Sequence, residues 1–192
     1  MALPNRIFLD TSVINLIVEY SDVIFDGAYL DENLNNRIYY DLLGIIRIFH
    51  YANHNAIEMA VSKTTFNEIS ATKDNIKRKQ LETYCNEISQ YFHYLVDDDY
   101  TKPSVLAKYT EEYLLERGLD KLIDPNDRRL IVEALFYKCD VFCTRDWRTI
   151  LSQRKALRDV IPLQILTPLE WCERYHYKIP ADYEFKHRSF RR

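Results

Sequence analysis

The sequence predicts an α/β fold built on a mainly parallel sheet. Two patterns carry that expectation. Short apolar runs recur at Arg6–Leu9, Ile57–Ser62, Asp140–Thr144 and Leu163–Leu166, and each pair of runs is separated by longer segments of helical periodicity. Strands separated by helices pair in parallel and carry helices on both faces. At 192 residues and 47% apolar content the chain is large enough for one domain that buries roughly 70% of its unfolded surface, so it needs no disulfides.

The elements follow in order. Arg6-Ile7-Phe8-Leu9 suits a strand buried on both faces. From Ser12 to Tyr20, Val13, Ile14, Ile17 and Val18 repeat at helical spacing; Tyr39, Leu42, Leu43, Ile46 and Phe49 do so in a second helix. The polar stretch Asp22–Asn36 reads as a connection or insertion. Ile57–Ser62 is the second strand, and Thr64 opens a short helix containing Glu68. Asn75–Val96 is a long polar helix, ended by Asp97-Asp98-Asp99. A further helix runs from Pro103 to Arg117 and stops at Gly118. Asp124-Pro125-Asn126-Asp127 starts a helix with Leu130, Ile131, Ala134 and Leu135 on one face. The strand Asp140–Thr144 leads directly into Arg145-Asp146-Trp147. After the last strand, Thr167-Pro168 caps a closing helix through Tyr175. Residues 1–177 form the expected domain, and 178–192 a basic tail.

Composition narrows the function. Three glycines leave no phosphate-cradling loop. Cys85, Cys139, Cys143 and Cys172 form no Cys-x-x-Cys pair and read as reduced core residues. No apolar run approaches the ~20 residues needed to span a bilayer, and no signal peptide is visible, so a soluble cytoplasmic protein is expected. A net charge of −3 does not advertise nucleic-acid binding. The basic cluster Lys73, Lys77, Arg78, Lys79 and the tail Lys186–Arg192 read as solvated surface. His50 and His54, at i and i+4, lack a third zinc ligand and read as surface or core histidines.

In open parallel sheets, ligands bind beyond the carboxyl ends of the strands. Asp10 and Asp146 follow the first and third strands, and Glu68 and Asp127 lie early in helices. The four carboxylates are therefore expected at one sheet edge. Packed acids repel one another unless a cation neutralises them. Mg²⁺ or Mn²⁺ accepts such oxygen ligands and supports phosphodiester hydrolysis. Each acid also has a structural reading. Asp10 and Asp146 are placed to cap the following helices, Thr65-x-x-Glu68 fits a capping box, and Asp127 compensates a helix dipole. Glu58 competes with Glu68 but would sit inside a strand.

Phe8-Leu9-Asp10-Thr11-Ser12-Val13-Ile14 resembles the opening strand and turn of PIN domains. Asp127 through Leu135 is similar to their second motif, Cys143-Thr144-Arg145-Asp146-Trp147 to their late Thr-Arg-Asp motif, and Ile165–Pro168 to the final strand and its exit. Glu68 matches the mid-chain acid. The resemblance spans residues 7–168. It implies a three-layer α/β/α sandwich with helical insertions, and an endoribonuclease using Mg²⁺ or Mn²⁺ on Asp10, Glu68, Asp127 and Asp146 to cleave RNA. Many members are toxins restrained by an antitoxin, so an antitoxin or other protein inhibitor is an expected partner class. The chain departs from compact members in Asp22–Asn36 and in the helix after Asn75. Arg128, Arg129 and Arg145 would meet substrate phosphates or stand as surface charges, and Thr11 or Thr144 would orient water at the metal. Exposed Tyr and Phe would serve a homodimer face or base stacking equally. Two rivals remain. A haloacid-dehalogenase-type phosphatase needs a second Asp where Ser12 stands, and an inactive PIN-like scaffold would bind RNA or protein without metal.

Overall fold

The computed structural model describes residues 4–30, 34–55, 57–96 and 110–175. Among these, four strands form one sheet: β1 (Arg6–Leu9), β2 (Glu58–Ala60), β3 (Val141–Cys143) and β4 (Gln164–Leu166). Their order is β2-β1-β3-β4, and every neighbouring pair is parallel. The α/β class and the four strand positions are as expected, although β2, β3 and β4 are shorter than the apolar runs that predict them.

Strand alternation explains the layers. Ile7, Leu9, Val141, Cys143 and Leu166 point to one face, whereas Phe8, Ala60, Phe142 and Ile165 point to the other. On the first face lie α1 (Thr11–Glu19), α2 (Ser21–Phe25), α3 (Asn36–Asn55), α4 (Lys63–Ser70), α5 (Asn75–Val96) and α9 (Pro168–Tyr175). On the second lie α6 (Glu111–Leu115), the 3₁₀ turn Leu119–Lys121, α7 (Pro125–Phe136) and α8 (Ile150–Leu157). Helix, sheet and helix make three layers. Phe8 and Phe142 are register partners on β1 and β3; their rings stack at 5.2 Å and tie the central strands together.

The connection Asp22–Asn36 is not wholly irregular, because its start is helical in α2. Val23 and Ile24 are buried there, which stabilises a single turn. Asp97–Asp99, Pro103 and the tail 178–192 lie outside the described residues. Thr110 caps α6, and Gly118 ends the following turn with φ +114°, a value that only glycine adopts without strain. Gly44 of α3 has a different role. A Cβ there would lie 2.4 Å from the Pro168 carbonyl carbon, so α3 and the start of α9 approach backbone to side-chain-free backbone. Cys85, Cys139, Cys143 and Cys172 are free and buried, and burial pushes their thiols up. No described helix is long and apolar enough to cross a membrane.

The chain leaves β1 in one direction, towards β2, and returns on the other side to form β3 and β4. The order therefore reverses between β1 and β3, and the crevice at their carboxyl ends is the switch point where ligands bind in such sheets.

Candidate functional site

Asp10 stands at that switch point, immediately after β1. Its amide donates to the Cys143 carbonyl at 3.0 Å and so continues the β1–β3 ladder. Its own carbonyl accepts from Val13 and Ile14, which starts α1, but its side chain makes no cap bond. The carboxylate turns inward instead. Oδ2 accepts the Ser12 hydroxyl at 2.5 Å and the Thr144 hydroxyl at 2.6 Å. Each hydroxyl has one proton, and both protons go to Asp10, so the 3.4 Å approach of Ser12 to Thr144 is a contact between acceptors. Their lone pairs take the Arg145 amide (2.9 Å, to Ser12) and the Asp146 amide (2.9 Å, to Thr144). The turn after β3 is thus fastened to Asp10 through two hydroxyls.

Asp10 is 4% exposed. Burial pushes its carboxyl above the ordinary range; the two hydroxyls oppose this, and the nearby Asp146 charge adds to it. Glu68 of α4 is also raised, first by burial and then by Asp10, Asp127 and Asp124, while the Thr11 hydroxyl donates to its Oε2 and opposes the rise. Asp127, in the first turn of α7, is pushed up to about 6 by burial, with Asp124, Asp146 and Asp10 contributing. Its Oδ2 is buried with no hydrogen-bond partner. Thr149 lies beside Asp127 and lowers it, although its single hydroxyl proton goes to Asp146 Oδ2 at 2.8 Å.

The four predicted acids therefore share one neighbourhood: the Asp146 charge is felt at Asp10 and Asp127, and the Asp10 and Asp127 charges at Glu68. Asp124 joins them. The sequence marks it only as the N-cap of α7, which it is, accepting from the Asn126 amide at 2.8 Å. Among the described residues, no three His, Cys, Asp or Glu side chains are placed as a ready metal-ligand set. Asp146 is engaged by the turn that follows it. Its Oδ1 accepts the Arg148 and Thr149 amides at 2.8 and 2.9 Å, and its Oδ2 the Thr149 hydroxyl. The capping role expected for Asp146 is present, on the turn that precedes α8.

Other expectations are met in part and corrected in part. The capping box of α4 runs from Ser62 to Thr65, because the strand ends early and the helix starts at Lys63; Glu68 plays no part in it. Glu58 lies in β2 and pairs with Arg6 on β1. Arg128 is held by Glu111 at 3.1 Å and by the Leu122 and Ile123 carbonyls, and so fixes the approach to α7. Arg145 binds Asp41 of α3 at 2.9 Å, and Asp41 is buried; neither arginine is a loose surface charge. Arg129 is exposed. Thr11 and Thr144 donate to Glu68 and Asp10, so they orient carboxylates rather than water. The sequence reading missed Asp41 as a buried partner, since an isolated Asp on a helix carries no signal for an arginine 104 positions away. Ser12 was considered as the position where a phosphatase would need a second Asp, and its bond to Asp10 was not anticipated.

The donor set suits a hard divalent cation: clustered carboxylates, one of them with an unpartnered buried oxygen, supported by hydroxyls. No family model matches this chain, and no curated protein or solved structure matches it significantly.

Proposed function

We propose that this chain is a PIN-type nuclease that hydrolyses RNA phosphodiesters with Mg²⁺ or Mn²⁺ held by Asp10, Asp127, Glu68 and Asp146. The observation that carries the reading is the packing of these acids together in one largely buried place. Asp10, Glu68 and Asp127, distant in sequence, are each held above the ordinary carboxylate range at the switch point of a parallel sheet, first by burial and then by the charges of neighbouring acids. Such an arrangement is unfavourable without a cation, and the motif resemblance around Asp10, Asp127 and Asp146 adds to it.

A bound divalent cation would supply charge neutralisation at the phosphate and activation of water. The chain's own part is positioning. Ser12 and Thr144 fix the Asp10 carboxylate, Thr11 fixes Glu68, and Asp127 presents an oxygen that nothing in the fold satisfies. At neutral pH Asp127 is ionised and available to bind; below about 6 it takes up a proton and is lost as a ligand. Asp146 ties the site to the turn before α8 and contributes charge.

The inactive-scaffold reading draws on one observation, the absence of a ready three-residue ligand set among the described residues. Cleavage of a labelled single-stranded RNA separates the two readings. The nuclease needs Mg²⁺ or Mn²⁺, stops in EDTA, and loses at least about 100-fold activity in Asp10→Asn, on the scale of removing a group that stabilises the transition state. A wild-type protein that leaves RNA intact with either metal, or an Asp10→Asn variant that cleaves normally, contradicts the proposal.

A further inference from the structure

We infer that Trp147 and Arg37 form a nucleobase-stacking subsite at the rim of the carboxylate cluster; this rests on the proposed nuclease reading and names how its substrate is held. Trp147 follows Asp146 directly in the chain and is 40% exposed, although an indole is costly to leave in water. The Arg37 guanidinium, from the first turn of α3, lies 4.4 Å from the ring centroid. A cation on one face fixes the orientation of the ring, and the exposed part of the indole is where another flat group would stack. The same helix anchors the turn from below, because Asp41, one turn after Arg37, binds Arg145 at 2.9 Å. α3 thus contacts both the ring, through Arg37, and the turn that carries it, through Asp41.

Aromatic platforms beside cationic groups hold single-stranded nucleic acid: every base has a π-face, and the cation meets the backbone. With a base on Trp147, the adjoining phosphate is carried towards Asp146 and its neighbours. The ligand class is a single-stranded oligonucleotide read by stacking, with no base-edge recognition implied.

The two tryptophans make the test direct. Trp171 is fully buried, against Tyr51 and Tyr175, so changes in emission on surface binding report Trp147. A 12-nucleotide oligoadenylate and an abasic strand of equal length and charge are titrated into the full-length protein in EDTA, where metal-dependent cleavage does not consume them. The expected result is quenching by oligoadenylate and none by the abasic strand. Trp147→Ala weakens oligoadenylate binding by about 5- to 100-fold, the range for loss of one stacked base. Trp147→Phe retains most of the affinity, measured by anisotropy of a labelled strand. In metal-dependent cleavage, Trp147→Ala raises KM and leaves kcat nearly unchanged. Equal binding of the two strands, or a Trp147→Ala variant that binds oligoadenylate as the wild type does, overturns the subsite. The failures are distinguishable. Base-dependent quenching without cleavage supports the subsite and counts against the nuclease, whereas cleavage indifferent to Trp147 does the reverse.

Discussion

Single side chains carry the charge balance of the site. Burial and neighbouring acids push Asp127 up from 3.8 to about 6, so between those pH values the folded protein holds a proton that the unfolded chain has released. Stability therefore falls as pH rises from about 4 to 6, and the penalty is fully present above 6. A shift of this size corresponds to at most about 3 kcal/mol. Asp127→Asn is expected to raise the urea midpoint at pH 7.5 and to change it little at pH 4.5; equal effects at both would refute the electrostatic account. Arg145 behaves oppositely. Its removal leaves Asp41 buried without its cation, and Arg145→Ala should cost about 2 to 4 kcal/mol, with Asp41→Asn in the same chain recovering part of it. The places of Asp10 and Asp146 after β1 and β3, and of Asp127 in the first turn of α7, were legible in the sequence; Glu68 was expected early in its helix and stands in the second half of α4 instead. The partners that orient these acids were not legible. A hydroxyl such as Thr149 and a capping pair such as Ser62 and Thr65 depend on where a helix starts, and a one- or two-residue shift reassigns every cap.

At the level of elements, the strands and most helices follow from periodicity, because a β1 of alternating Ile7, Phe8 and Leu9 must be covered on both faces. The contact of α3 with α9 was not legible, since Gly44 looks like any helix-weakening glycine until its neighbour is known. Alanine in a helix is favoured over glycine by about 1 kcal/mol. Here the new Cβ meets Pro168 backbone at 2.4 and 2.6 Å, and overlap of that kind costs about 1 to 3 kcal/mol. The overlap outweighs the propensity gain, because backbone cannot rotate away as a side chain can. Gly44→Ala is expected to lower stability in urea denaturation; a stabilised variant would mean that the two helices stand further apart.

For the whole molecule, the strand order β2-β1-β3-β4 is what turns scattered acids into a cluster. A different order would put β1 and β3 apart and separate Asp10 from Thr144 and Asp146. Parallel pairing was legible from the alternation of strands and helices, but the order was not, because nothing local in the chain states which side of β1 the third strand joins. Any cation bound only by the folded protein stabilises it by mass action, so the clustered charge should act as a metal-linked brace. The most direct test is calorimetric titration with Mn²⁺ at pH 7.5 of the wild type, Asp10→Asn and Asp127→Asn. Saturable heat in the wild type that weakens towards pH 5 and disappears in both variants is the predicted result; indistinguishable titrations of all three proteins would contradict the metal site.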